Sequence, residues 1–282
     1  MKIAVTGADG LLGREVVAHL QYRHQTIPLN RRMLDVTDKD AVFGAILALK
    51  PDAIVHAAAY TNVDEAERER EPAFAVNAYG TGYLAEAAES IGAKFLYVST
   101  DYVFDGTKGS PYTEEDEPNP LNVYGASKRL GEQLALGYCR RHYIIRTAWL
   151  FGECGANFAS RVCRAAVTGE PVFAADDLIG SPTFTADLAS FLGRVVETDH
   201  YGVFHAVNAG YCSKYEFALE ILKLIGADDS LARPVRLREL NLPAARPANS
   251  ALLQRKAAGI AESLLEPWQS ALHRFLRMTV HK

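Results

Sequence analysis

Apolar positions follow two rhythms along the first half of the chain. Short β-branched runs, apolar almost throughout, alternate with longer segments whose apolar residues recur every three or four positions. Lys2–Thr6, Thr26–Leu29 and Ala53–His56 read as strands, and Leu11–Tyr22 and Asp38–Lys50 as the helices between them. The rhythm continues with a helix over Ala73–Ile91, a strand over Phe95–Ser99, a helix near Ser127–Gly137 and a strand over Tyr143–Thr147. Continuous apolar strands joined by helical crossovers predict an α/β fold, a parallel sheet covered by helices on both faces.

Beyond Trp149 the pattern loosens. Gly, Pro and polar residues gather at Gly152–Asn157 and Ile179–Thr183, and Val203–Val207 reads as one further core strand. Prolines 234, 243 and 247 then interrupt the remainder. This predicts a sheet domain from residues 1–150 and 184–208 and a smaller lobe from residues 151–183 and 209–282. The charged run Glu65–Glu71 reads as a solvated helix face or turn.

Composition narrows the function class. A chain of 282 residues can bury a large core. With 49% hydrophobic and 23% charged residues and a net charge of -4, it has the balance of an ordinary soluble enzyme, with no basic excess to draw nucleic acid. No secretory pattern opens the sequence and no apolar run has membrane-spanning length, so a cytoplasmic protein with no membrane partner is expected. Cys139, Cys154, Cys163 and Cys212 lack any paired CxxC spacing and read as reduced thiols, with no metal expected among them.

The first chemistry-bearing pattern follows the first strand directly: Thr6-Gly7-Ala8-Asp9-Gly10-Leu11-Leu12-Gly13. The first glycine permits a tight turn, the second lets backbone amides approach a pyrophosphate, and the third lets helix and strand pack closely. The helix N-terminus adds partial positive charge. A dinucleotide is expected here, on a Rossmann-type doubly wound parallel sheet with a smaller C-terminal substrate-binding lobe. After the second strand, Asn30-Arg31-Arg32 stands where an acidic residue would bind an unphosphorylated ribose. An arginine there suits a 2′-phosphate, which favours NADPH and leaves NADH open.

The second pattern lies at the end of the Phe95–Ser99 strand. Ser99-Thr100-Asp101-Tyr102 places hydroxyls at the carboxyl edge of a parallel sheet, where ligands bind in such folds. Further on, Tyr124 and Lys128 stand four residues apart, on one helix face and about 6 Å apart along its axis. Reducing a ketone needs a proton delivered to oxygen as hydride reaches carbon, and a phenol with a pKa of about 10 exchanges protons sluggishly at neutral pH. A neighbouring ammonium is expected to lower that pKa and to hold a cofactor ribose. Tyr124 is thus the expected proton donor, Lys128 its tuner, and Thr100 the hydroxyl that completes the triad.

These residues resemble the extended short-chain dehydrogenase/reductase family, and within it the reductases of dTDP-linked 4-keto-6-deoxy sugars. The resemblance spans nearly the whole chain. It rests on Ala57-Ala58-Ala59-Tyr60-Thr61-Asn62-Val63-Asp64, Ser99 to Phe104, Pro120 to Gly125, Arg146-Thr147-Ala148-Trp149, Gly180-Ser181-Pro182-Thr183 and Arg246-Pro247-Ala248-Asn249-Ser250. It implies that Gly10, Leu11, Leu12, Asp35, Val36, Ala57, Ala58, Ala59 and Tyr60 line the cofactor, and that Asn77 borders it. It also implies that Thr100, Asp101, Tyr102 and Trp149 contact a dTDP-linked 4-keto-6-deoxy sugar. Related dehydratases carry an Asp-Glu pair after the threonine, because eliminating water needs both an acid and a base. Tyr102 fills the second carboxylate's place here, which favours simple keto reduction. Some members use magnesium at a dimer contact, for which Glu15 and Asp187 are the matching positions. Two carboxylates are too few oxygen ligands for a hard cation, so metal-free function as a monomer or homodimer is expected. The rival expectations are reduction of another 4-keto nucleotide sugar, and a non-catalytic NADP-binding subunit like the regulatory subunit of methionine adenosyltransferase.

Overall fold

The computed structural model describes residues 1–256 and 265–279. The first half alternates as the apolar rhythm predicts: β1 Lys2–Thr6, α1 Leu11–Leu20, β2 Gln25–Leu29, α2 Lys39–Leu49 and β3 Ala53–His56. Next come two short helices, α3 Val63–Ala66 and α4 Arg70–Phe74, a π-helical turn Ala75–Tyr79, and α5 Gly80–Ser90. The single helix expected over Ala73–Ile91 is therefore three segments. β4 Lys94–Thr100, α6 Val123–Tyr138 and β5 His142–Thr147 follow. Helix α6 begins earlier than its apolar period indicates, because the Asn122 side chain caps it by accepting the Gly125 amide at 2.7 Å.

The remaining elements are β6 Leu150–Phe151, α7 Phe158–Thr168, β7 Val172–Ala175, β8 Ile179–Gly180, β9 Thr183–Phe184, α8 Thr185–Val196, β10 Gly202–His205, β11 Cys212–Ser213, α9 Lys214–Leu224, β12 Ala232–Val235 and α10 Trp268–Thr279. The central sheet has six strands in the order β10-β5-β4-β3-β1-β2, every pair parallel. Its chain path reverses direction between β1 and β3, and that crevice opens at the carboxyl ends of both strands.

Strand alternation divides the core. Ile3, Val5, Val55, Leu96 and Ile145 face a layer formed by α1 and α8, where Val16, Leu188 and Leu192 meet them. Ala4, Ile54, Phe95 and Tyr97 face the opposite layer, against Val42, Ile46, Leu84 and Ala135. A second core joins Phe151, Val162, Val172, Phe184, Phe217, Ile221, Trp268 and Phe275 from the later elements. All four cysteines are free thiols. Among the described residues no helix is long and apolar enough to cross a membrane.

The glycine turn is where backbone meets backbone most closely. Gly7 has φ +68, and a Cβ there would lie 2.6 Å from the Ala58 nitrogen just past the end of β3. A Cβ on Gly13 would lie 2.0 Å from the Gly7 carbonyl oxygen. The turn therefore draws α1 tightly onto the mouth of the β1–β3 crevice.

Candidate active site

One cleft of about 740 Å³ runs along the carboxyl edge of the sheet. Gly7, Gly10, Leu11 and Leu12 form one wall, Asn30, Arg31, Asp35 and Val36 its far end, and Ala57, Ala58, Ala59 and Tyr60 its floor. Thr100, Asp101, Tyr102, Tyr124, Lys128 and Trp149 border the other end. Of the residues singled out in the sequence for cofactor, catalysis or substrate, Asn77 and Arg32 stay outside this lining.

Asn77 is fully buried and works as a clamp. Its Oδ1 accepts the Tyr60 amide at 2.8 Å, while its Nδ2 donates to the Tyr60 carbonyl at 3.0 Å and to Ser127 Oγ at 2.9 Å. Asn77 thus braces the cleft instead of lining it. The π-helical turn directs its side chain between the β3 exit and α6, so it holds both walls of the cleft without facing into it.

The dinucleotide end is suited to an anion. Helix α1 has Gly10 at its N-cap, with no side-chain cap and no acidic residue in its first turn. By contrast α2, α6, α7 and α9 are capped by Asp38, Asn122, Asn157 and Ser213. Uncapped first-turn amides at a glycine cradle, with the side-chain-free space a Cβ would fill, fit a pyrophosphate. Asp35 accepts the Thr37 amide at 3.0 Å and its hydroxyl at 2.8 Å, and these bonds hold its carboxyl below the usual range. Arg31 lies close enough to add to that effect.

The hydroxyl end is built from the exit of β4. Thr100 Oγ1 accepts the Tyr102 amide at 3.2 Å and donates to Asp101 Oδ1 at 3.0 Å. Thr100 lies close enough to Tyr124 to act on its phenol. Gly125 makes this approach possible, since a Cβ there would lie 2.1 Å from the Tyr102 carbonyl oxygen. The Tyr102 and Tyr124 rings meet edge to face at 5.9 Å.

Electrostatics here depart from the sequence expectation. Burial pushes the Tyr124 phenol up to about 12, with Thr100 opposing the rise and Asp101 adding to it. Burial pulls Lys128 down to about 7, with Glu132 opposing. The Lys128 ammonium is held by the strand beneath it. Its Nζ donates to the Val98 carbonyl at 2.6 Å and lies 4.2 Å from the centre of the Tyr97 ring. A spacing of four fixes a shared helix face but not the direction of a flexible four-carbon stem, and here the stem turns down toward β4.

Three groups at this end carry roles that the sequence reading did not assign. Ser250 Oγ donates to Asp101 Oδ2 at 2.5 Å. Burial lifts the Asp101 carboxyl to about 6, with Ser250 and Thr100 opposing. Beneath the site, Glu132 accepts Ser99 Oγ at 2.7 Å and both arms of Arg146 at 2.9 Å. Arg246 pairs with Asp64 at 2.9 Å, and its guanidinium lies 5.9 Å from the centre of the Tyr102 ring. The segment Arg246–Ser250 carried a signal as part of the family resemblance, although nothing in its spacing names a partner.

The two carboxylates considered for magnesium lie apart in function. Asp187 accepts from Arg274 at 2.6 Å and from Asn208 at 2.7 Å. Glu15 is raised by burial and by Glu153. Among the described residues no group of three or more His, Cys, Asp or Glu side chains converges on a metal position.

The sequence matches the family model described as RmlD substrate binding domain over residues 1–280. It is 42% identical to a dTDP-4-dehydrorhamnose reductase of Streptomyces griseus over 277 residues, 95% of this chain and 90% of that one. It is 39% identical to a dTDP-4-keto-6-deoxy-D-glucose reductase of Streptomyces niveus, covering 82% of this chain and 81% of that one. Among solved structures, the dTDP-4-dehydrorhamnose reductase of Bacillus anthracis in complex with NADP superposes with a TM-score of 0.95 at 36% identity, covering 98% of this chain and 99% of that one.

Proposed function

The chain belongs to the family described as RmlD substrate binding domain, and on that footing we propose that it reduces the C4 keto group of dTDP-6-deoxy-L-lyxo-4-hexulose with NADPH, yielding dTDP-L-rhamnose. What carries the reading is the convergence of Thr100, Tyr124 and Lys128 at one end of a cleft whose other end is a glycine cradle at an uncapped helix N-terminus.

When bound, the reduced nicotinamide supplies the hydride. The chain's own residues bind, orient and protonate. Amides of Gly10, Leu11 and Leu12 hold the pyrophosphate, Asn30 and Arg31 take the 2′-phosphate, Asp35 and Val36 border the adenosine, and Ala57, Ala58, Ala59 and Tyr60 line the passage. Lys128 holds a ribose hydroxyl. Tyr124 stays protonated across the neutral range because its environment disfavours phenolate, which is the state a donor to a carbonyl oxygen requires. Thr100 holds that oxygen in reach, and Asp101, Tyr102 and Trp149 hold the sugar. Tyr102 leaves Asp101 without a second carboxylate beside it, so no acid–base pair for dehydration is in place.

In this reading residues 1–150 with 184–208 serve the cofactor and residues 151–183 with 209–282 the substrate; residues 257–264 and 280–282 of the latter lie outside the described residues. The activity belongs to the cytoplasm, in a monomer or homodimer. A second sugar is favoured by one observation, the similarity to a relative named for reducing dTDP-4-keto-6-deoxy-D-glucose. The test is NADPH consumption with both 4-keto sugars, followed by the C4 configuration of each product. The L-lyxo substrate should turn over faster and give the rhamno product. Consumption with neither would overturn the reading in favour of a non-catalytic subunit.

The acid limb of activity should report Asp101. Its pKa is raised, so the carboxylate persists above about 6 and is lost as pH falls through that value. Sugar hydroxyls bind best to the ionised form, so kcat/KM should fall by roughly tenfold per pH unit below it. Asp101→Asn should lower the plateau and flatten that limb. A wild-type kcat/KM that does not change between pH 5 and 7 would remove Asp101's charge from substrate binding.

A further inference from the structure

The lobe brings two cations up behind the Trp149 end of the cleft, with no ion-pair partner among the described carboxylates. β11 pairs antiparallel with β8, and Ile179 of β8 also bridges to Asn249. This small assembly delivers Ser250 to Asp101 from one side and Lys214, the first residue of α9, to Trp149 from the other. Lys214 Nζ lies 3.4 Å from the centre of the Trp149 ring and 4.7 Å from that of Phe158. The Arg161 guanidinium lies 5.0 Å from the centre of the same Phe158 ring, on the exposed side of α7. Neither cation forms an ion pair with a described carboxylate. Asp101 is within electrostatic range of Lys214 but forms no direct ion pair with it, and its carboxylate also accepts from Ser250 and Thr100.

Aromatic faces return only part of the hydration that a confined ammonium loses. Burial accordingly pulls Lys214 down to about 7, although Cys212 and Asp101 oppose it, and Arg161 adds to the fall. Burial also lowers Arg161. An arriving anion would relieve both. Trp149, Ala156 and Asn157 line this end of the cleft, next to the residues that meet the reacting carbonyl. In a nucleotide-linked 4-keto sugar, the group one pyranose ring away from C4 is the diphosphate on C1.

We propose that Lys214, with Arg161 as an outer charge, binds the diphosphate that joins the nucleoside to the sugar. The inference rests on the nucleotide-sugar reading above, and names the residues that recognise the substrate's charged bridge. Lys214 does so with its ammonium held on the Trp149 ring, so the same indole that borders the sugar also orients the cation. Arg161 acts from farther out and contributes less.

The test compares dTDP with thymidine by calorimetry on the full chain, alongside NADPH affinity and KM for the 4-keto sugar nucleotide. Lys214→Met should weaken dTDP by about tenfold or more, the size of one lost charge-assisted contact, and Arg161→Met by about threefold. Thymidine and NADPH affinities should hold within about twofold, and KM should rise more than kcat falls. Lys214→Arg should recover most of the loss. If Lys214→Met fails to fold, Lys214→Gln is read against the same expectations. Variants that bind dTDP as the wild type does, with NADPH affinity intact, overturn the proposal. Turnover with a KM indifferent to Lys214 would sink this inference and leave the reductase standing. Lys214-dependent dTDP binding without turnover of any 4-keto sugar would do the reverse.

Discussion

Tyr124→Phe is expected to lower kcat by about 10²- to 10⁴-fold, the range that a positioned general acid contributes, while leaving the NADPH Kd within about threefold. The expectation follows from what the phenol does and does not touch. Its ring meets Tyr102 edge to face, and that packing survives in phenylalanine. Thr100 lies close enough to act on its oxygen, and burial keeps it protonated. Removing the oxygen therefore removes the proton source and little else, because Thr100 keeps its bonds to Asp101 and to the Tyr102 amide. Lys128 also keeps its contact with the Val98 carbonyl, so the cofactor side is undisturbed. The loss should lie in kcat, with KM for the sugar changed far less. A purified variant with kcat within tenfold of wild type would remove Tyr124 from proton delivery.

The parts of this site legible in the sequence are those governed by short-range backbone geometry. Gly7, Gly10 and Gly13 announce a close approach of helix to strand, because no other residue would fit two of those positions. The alternation of Ile3, Ala4 and Val5 announces a strand buried on both faces, which limits the architecture to a covered parallel sheet. Tyr124 and Lys128 share a helix face because helical spacing requires it.

What stayed hidden depends on the direction of long side chains and on partners far along the chain. Lys128 could reach toward Tyr124 or toward β4, and its stem follows the Val98 carbonyl. Asn77 sits on a π-helical turn, whose extra residue rotates the side chains beyond it relative to a regular helix, so its orientation is not given by counting. Ser250 meets Asp101 across 149 residues, and Asp64 meets Arg246 at a comparable distance along the chain. The Ser250 pair is fixed by the small β8–β11 assembly, to which Asn249 bridges and whose two-residue strands carry almost no periodic signal.

Glu132→Gln should destabilise the fold by about 3–5 kcal/mol, because it strands a buried cation. Glu132 is fully buried and Arg146 is 2% exposed, so neither charge can turn to water. Burial works against the Glu132 carboxylate, yet the Arg146 fork, with Ser99 and Arg129 beside it, holds its pKa below the ordinary range. Glutamine keeps the shape and can still accept from Ser99, which isolates the charge as the variable. The Arg146 guanidinium would then rest on the Phe104 ring 5.1 Å away, with one terminal nitrogen already lacking a partner. For a chain of this size the cost corresponds to a Tm lower by roughly 10 °C. Activity should move as well, since Glu132 is the charge that opposes the fall of the Lys128 pKa. Without it Lys128 loses its proton at lower pH, and the alkaline limb of kcat/KM should shift toward acid. Thermal melts and a pH profile separate the two effects. A variant with wild-type Tm would mean that the ion pair only repays its own desolvation, and an unmoved alkaline limb would mean that Lys128 does not feel Glu132 during catalysis.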